Sequence, residues 1–460
     1  MPDSRSISIL FARGARRVTG SNFLIEAKDG GKTTRVLIDC GLAQGERYCE
    51  SVNKERFSYD PASVDAIFFT HAHADHIGLF PKLVKEGFSG RAYATPPTAA
   101  LMPVMLEDSL KIVADEARRC RDEAPYAAED IKHAVALVQP TGYHEKIEIA
   151  SGISATLYNA GHIIGSASVL LDIFGTKLCF TGDLGRVPPV IVPEREVPEG
   201  IDYLFMESVY GNRVHAAFEE SEGALIQAVK DTIARRGTLL IPAFSLERTQ
   251  IILETLERGV REGDIPAVPT FMDSPLAAKV TAIYREFPDY LNAETKGLIE
   301  KGEDPFSFSS LHVTARESDA HLIEDTVPPK VIIAGAGMSH GGRIRTHEKR
   351  YLPEKETTLL LVGYQVPGSL GRRLQDGAKE VNMDGAKVSV RATVKALDGF
   401  SAHADRNDLM SYVEAAKPKK VFVILGETES ATYIAQRISG FLGLPVDVPR
   451  EGEQVQLIPA

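Results

Sequence analysis

The chain holds only four cysteines in 460 residues, Cys40, Cys49, Cys120 and Cys179, and no two stand at CxxC spacing. That excludes a zinc knuckle and a thioredoxin-type redox motif, and the expectation is four reduced, mostly packed thiols in a reducing compartment. No window approaches the ~18 uninterrupted apolar residues of a membrane span, so no membrane partner is expected. Met1–Arg17 lacks the apolar stretch of a secretory leader, and a cytoplasmic location is expected. Positive charge is in deficit: 52 Lys and Arg against 63 Asp and Glu give a net charge of −11. A field of that sign repels polyanions, so any grip on one must come from a local basic groove or a bound cation. Tryptophan is absent and aromatics interleaved with basic residues are sparse, which limits base stacking and sequence readout. What is present, 43% hydrophobic and 25% charged residues, is ordinary globular material. It excludes a disordered, collagen-like or disulfide-scaffold chain, and the length suits two or three domains.

The first half reads as short β-rich runs bounded by Gly, Asp or Asn: Ile7–Phe11, Phe23–Ala27, Thr34–Ile38 and Ala66–Thr70, then Ser154–Tyr158, Ser168–Ile173 and Lys177–Thr181. Between them, apolar residues at helical spacing predict helices over Leu79–Glu86, Thr98–Arg119 and Ala127–Val138. From about Gly211 the texture changes. Helices Ala224–Arg235 and Leu246–Val260 flank the strand Thr238–Pro242, and Val331–Ala334 and Thr358–Gly363 are apolar runs suited to buried parallel strands. Leu322–Lys330 reads as a linker inside this block, and Val421–Leu425 as a last buried strand. Ala334–Arg343 is a glycine-rich turn whose backbone N–H groups suit a phosphate. It is no dinucleotide fingerprint, because His340 stands where the third glycine should, and Gly31-Lys32-Thr33 is no P-loop, because Glu26 replaces the upstream glycine.

The chemistry concentrates at Thr70-His71-Ala72-His73-Ala74-Asp75-His76, directly after an apolar strand. In an extended loop His71 and His73 project the same way, while Asp75 and His76, beyond the turn, face a second point. Imidazole and carboxylate are good ligands for Zn²⁺, Mn²⁺ or Fe²⁺. His162 in a small-residue loop and Asp183 between two glycines also follow strands; alone, each would be an ordinary core or turn residue.

HxHxDH followed by a distant His162 and by Asp183 resembles the metallo-β-lactamase fold. The resemblance implies a first metal site of His71, His73 and His162, a second of Asp75 and His76, and Asp183 bridging both. Asp39 matches the aspartate that supports the ligands from behind. Phe205-Met206-Glu207-Ser208 and Asp398-Gly399-Phe400-Ser401-Ala402-His403 are similar to two motifs of the β-CASP subfamily, which cuts nucleic acids. Pro242-Ala243-Phe244 with Arg248, Met272-Asp273-Ser274, Ala336-Gly337-Met338-Ser339-His340-Gly341-Gly342-Arg343 and Gly363-Tyr364-Gln365 extend the likeness through the middle block. It is strongest to the bacterial and archaeal relatives of the cleavage-and-polyadenylation endonuclease. At one position the chain departs: Leu425 stands before Gly426-Glu427 where the subfamily has a histidine ligand of the second metal. That leaves the second site short of one protein ligand, for which a water, Glu427 or Glu429 are the candidate substitutes.

The resemblance implies an α/β protein: a four-layer αββα metallo-β-lactamase domain over 1–208 and 395–460, with an inserted α/β β-CASP cassette over 209–394. It implies a metal-dependent ribonuclease hydrolysing RNA phosphodiester bonds through a metal-activated hydroxide, with Zn²⁺ expected at two per chain and Mn²⁺ the other candidate. Asp75, His403 and Glu207 would be catalytic, His403 protonating the leaving oxygen while Glu207 holds it protonated. Arg248, Ser339, Arg343 and Arg372 are the candidate substrate contacts, single-stranded RNA the expected partner, and a homodimer an expected assembly. The weakened second site keeps open a catalytically impaired RNA-binding protein, and the non-histidine Leu425 keeps open a DNA nuclease.

Overall fold

The computed structural model describes residues 5–45 and 52–459. The chain forms two compact units, Met1–Val214 with His403–Ala460, and His215–Ala402.

In the first unit, period-two alternation makes sheets that bury one face against each other. Ser6–Arg13 turns Ile7, Ile9 and Phe11 into a core that also takes Leu157, Val169, Leu171, Phe205 and Phe422. Among the described residues each sheet has seven strands. The first runs Gln454–Leu457, Ser6–Arg13, Asn22–Asp29, Lys32–Ile38, Ala66–Phe68, Arg91–Ala94, Val138–Pro140. The second runs Val446–Asp447, Lys420–Val423, Tyr203–Met206, Thr176–Phe180, Ala167–Ile173, Ile153–Asn159, Lys146–Ala150. Phe180, Phe205 and Phe422 stack across neighbouring strands, with centroids 4.2 and 4.9 Å apart, and Phe11 of the opposite sheet closes on Phe422 at 5.9 Å. Each such buried ring contributes about 2–3 kcal/mol. On the outer face of the second sheet, Met206 and Val423 pack with Leu409 and Val413 of helix Arg406–Ala416 and Ile434 of helix Thr428–Arg437. On the outer face of the first, Phe69 packs on Phe80 of helix Phe80–Lys85, centroids 4.8 Å apart. The result is four layers, αββα.

The second unit is built on six strands, all parallel, in the order Leu311–Val313, Thr270–Met272, Lys330–Ala334, Thr238–Pro242, Thr358–Val362, Thr393–Leu397. The central strands are buried at every residue, which is why they read as unbroken apolar runs. A hairpin of Glu380–Met383 and Ala386–Ser389 lies outside this sheet. No helix among the described residues is long and apolar enough to cross a membrane.

Two expectations need correction. Leu322–Lys330 is no linker: it holds the end of helix Ala320–Asp325 and the first residue of strand Lys330–Ala334. Ile323 is buried in the unit's core, and the Lys330 Nζ, buried too, donates to the Ile323 and Thr326 carbonyls. Charged composition concealed an ordered segment anchored by Ile323, while Leu322 and Val327 stay exposed. The cysteines are not all thiols either. Cys40 and Cys179 are free and buried, Cys120 is disulfide-bonded, and Cys49 lies outside the described residues. Spacing along the chain excludes local motifs but says nothing of cysteines that folding brings together.

Candidate metal centre

The residues of the centre sit where strands of the first unit end. Asp39 follows Lys32–Ile38, the histidine cluster follows Ala66–Phe68, His162 follows Ile153–Asn159, Asp183 follows Thr176–Phe180 and Glu207 follows Tyr203–Met206. A sheet edge of carboxyl ends is where α/β folds gather their chemistry, because the loops there vary without disturbing the core. Asp75 and His76 lie on a one-turn helix, Ala74–Ile77, that reverses the loop after His73.

The structure brings His71, His73, His162 and Asp183 together with one donor atom from each within 4.8 Å of the others. His71 Nε2 lies 2.9 Å from His73 Nδ1 and 3.5 Å from Asp183 Oδ2, and His162 Nε2 lies 3.6 Å from that same oxygen. Ligands bonded at ~2.0–2.1 Å around a tetrahedral Zn²⁺ are spaced by just over 3 Å, so the set fits the ion. The second Asp183 oxygen, Oδ1, lies 3.5 Å from His76 Nε2, which is 4.0 Å from Asp75 Oδ2. His76 Nε2 and both ring nitrogens of His162 are buried without a hydrogen-bond partner. Buried polar atoms are normally satisfied, and a buried imidazole whose lone pair meets no donor matches a cation.

Electrostatics keep His71, His162 and Asp183 in ligand form. Burial, reinforced by neighbouring imidazoles, holds His71 and His162 well below the usual imidazole range, so both present neutral nitrogens. Burial works against charge on His76 as well, but Asp183 and Asp39 outweigh it and raise its pKa. Asp183 is held well below the carboxylate range, burial being overcome by His76 and His403. Burial raises Asp75.

Asp39 orients His76: its Oδ2 accepts from His76 Nδ1 (2.7 Å), leaving Nε2 for a ligand. Ser21 Oγ and Thr70 Oγ1 donate to the same oxygen (both 2.9 Å), and Thr70 N donates to Oδ1 (2.8 Å). Ser21 and Thr70 escaped the sequence reading; Thr70 adjoins the cluster, but nothing marked Ser21.

Beside this set, His403 Nδ1 lies 3.5 Å from Glu207 Oε1 and 3.9 Å from Asp183 Oδ2. Glu207 is fully buried and fixed by Leu184 N (2.6 Å to Oε1) and Val209 N (3.2 Å to Oε2). Burial opposes charge on His403, yet Glu207 and Asp183 raise its pKa above the ordinary value.

The comparisons with known proteins agree with this architecture. Residues 15–242 match the Metallo-beta-lactamase superfamily, 249–374 the Beta-Casp domain, and 387–449 the Zn-dependent metallo-hydrolase RNA specificity domain. A ribonuclease of Thermus thermophilus is 35% identical over 96% of this chain and 98% of its own. The chain belongs to the β-CASP branch of the metallo-β-lactamase superfamily. The transcription termination factor FttA of Methanosarcina mazei is a further relative, 34% identical over 97% of this chain and 71% of its own. So is an RNase J-like protein of Methanocaldococcus jannaschii, 32% identical over 97% of this chain and 99% of its own. A solved structure of a protein of unknown function from Enterococcus faecalis shares the fold at 14% identity, TM-score 0.57, over 99% of this chain and 100% of that one.

Within this β-CASP protein, Leu425 is 1% exposed, has φ 46°, and packs into the core between the sheets, while Glu427 and Glu429 are exposed. The four residues expected to touch substrate all belong to the second unit. Arg248 donates to the Val362 carbonyl and Ser339, fully buried, to Glu348. Arg343 bonds Asp273 (2.6 Å) and the Thr314 carbonyl (2.8 Å). Arg372, 41% exposed, pairs with Asp376 at 2.9 Å.

Proposed function

We propose that this chain is a zinc-dependent ribonuclease that hydrolyses single-stranded RNA at the centre formed by the first unit. The observation that carries the reading is the convergence of unpartnered imidazole nitrogens and a shared carboxylate on one point, beside a buried Glu–His pair. His71, His73, His162 and Asp183 would hold the first ion. Asp183, through its other oxygen, would hold a second with His76 and Asp75. Leu425 gives that second ion no ligand, so it would be bound more weakly than the first.

When bound, zinc supplies Lewis-acid activation of water and cancels phosphate charge. The chain's own residues do the rest. Asp75, whose raised pKa makes it a better base than an ordinary carboxylate, takes the proton of the attacking water. As the new bond to phosphorus forms and the bond to the leaving oxygen breaks, His403 gives that oxygen its proton. Glu207 keeps His403 charged and aimed, because a buried carboxylate beside an imidazole favours the imidazolium. Arg372, whose exposed pair with Asp376 is worth little by itself, is free to exchange that partner for an RNA phosphate. The net charge of −11 makes such local contacts necessary.

The reading is supported by the relative named as a ribonuclease and by the match to an RNA specificity domain. The test incubates zinc-loaded protein with end-labelled single-stranded RNA, duplex RNA and single-stranded DNA at fixed salt, beside His73→Ala. Cleavage of single-stranded RNA alone, lost in His73→Ala, is expected. Equal cleavage by both proteins overturns the ribonuclease, and preference for duplex RNA or DNA overturns the substrate.

A further inference from the structure

Residues 193–196 belong to an irregular stretch without any recognisable motif, yet three of the loops around the metal centre are tied to them. The loop that carries His162 follows Asn159, whose N donates to Glu196 Oε2 and whose Nδ2 donates to the Glu194 carbonyl, both at 2.9 Å. The loop that carries Asp183 is held by Arg195, which donates through Nη1 to the Gly185 carbonyl. The segment that carries His403 leads into helix Arg406–Ala416, where Arg195 Nη2 donates to the Asp408 carbonyl (2.9 Å) and lies 3.7 Å from its carboxylate. The Arg195 side chain is only 6% exposed.

These contacts leave no slack. A Cβ at Gly185 would meet the Gly161 oxygen at 1.7 Å, and one at Gly161 would meet Arg195 N at 2.8 Å. Gly185 and His403 are partners in an antiparallel backbone bridge, and Ala404 N donates to the Leu184 carbonyl (2.7 Å). One guanidinium therefore fastens both sides of the bridge that sets the His403 ring against Glu207 and Asp183. A planar fork serves two acceptors in a single fixed orientation, which a lysine ammonium cannot reproduce.

We propose that Arg195 is a positioning residue for proton donation: by holding Gly185 and Asp408 in register it fixes where the His403 ring meets the leaving oxygen. The inference rests on the reading of His403 as the proton donor. Misplacement of a reacting group by ~1 Å slows a step by about 10²-fold; among the described residues the histidine cluster after Ala66–Phe68 makes no bond to Arg195, and Asp183 directly follows its own strand, Thr176–Phe180.

The test uses two substrates that differ in their need for a proton. RNA leaves as an alkoxide that must be protonated; bis(p-nitrophenyl) phosphate releases a stable nitrophenolate. In Arg195→Met, kcat on RNA should fall ~10–100-fold at unchanged KM and unchanged zinc per chain, and turnover of the aryl ester by at most about 3-fold. Equal losses on both substrates, or loss of zinc, overturn the proposal. Arg195→Lys keeps a charge beside Asp408 and serves where Arg195→Met fails to fold; it should show the same selective loss, and wild-type RNA turnover by it overturns the fork. His403→Ala, run alongside, should also lose more on RNA than on the ester. If its losses are equal, the reading of His403 fails rather than that of Arg195.

Discussion

Each unit carries a buried cluster of histidine, aspartate and their neighbours, and the two clusters are built in opposite ways. In the second unit Asp273 Oδ1 accepts from Arg343 (2.6 Å) and Thr314 (3.1 Å), and Oδ2 from His347 (2.7 Å). Although burial opposes it, these donors hold Asp273 below the ordinary carboxylate range. Donors and acceptors match, and the cluster closes on itself. In the first unit, among the described residues, His76 Nε2 and both ring nitrogens of His162 are buried without a hydrogen-bond partner. The same residue types thus make a fastening in one place and a set of ligand-type atoms in the other. Counting histidines does not separate the two; counting unmet lone pairs does.

Breaking each cluster should expose that contrast. The largest effect is expected from His162→Leu, which removes two unpartnered nitrogens. RNA turnover should fall by about 10³-fold or more with loss of zinc, since a metal supplies several kcal/mol to the transition state. In zinc-stripped protein the same change should alter thermal stability by less than about 1 kcal/mol, because no hydrogen bond is lost. Asp273→Ala should do the reverse: it strands Arg343 and His347 and destabilises the second unit by about 3 kcal/mol, read as a lower melting temperature at unchanged zinc content.

A smaller, pH-dependent effect belongs to Glu348, fully buried and pushed up to about 7 from its ordinary 4.5, chiefly by burial. Between those values the unfolded chain releases this proton while the folded chain keeps it. Stability therefore falls as pH rises through that window, by about 3 kcal/mol in all. Glu348→Gln should flatten the fall in melting temperature between pH 5 and pH 8; an unchanged slope would mean that Glu348 does not titrate there. The smallest effect is expected from Leu425→His. It should raise zinc per chain toward two and turnover by a few fold, measured by elemental analysis and initial rates, and unchanged zinc would show that this position does not govern the second ion.

Sequence and structure correspond unevenly, for physical reasons. The histidine cluster is legible because its donors are local, within one loop after one strand. The central strands of the second unit are legible because burial on both faces leaves only apolar residues. The edge strand Leu311–Val313 escaped notice, since its three half-exposed or exposed residues carry no pattern. Asp183, Glu207 and His403 gain meaning from a resemblance, because ordinary residues at strand ends are brought together only by folding. Arg195 and Ser21 had no signal at all: their partners lie in distant segments, and pairing of that kind leaves no periodic trace.

The first unit is assembled from two stretches of chain separated by the whole of the second. A ribosome making this protein thus releases the zinc-binding loops long before His403 exists. Until the segment carrying His403 emerges and docks, the buried Glu207 carboxylate lacks its imidazole partner, so this pair is completed only late in synthesis.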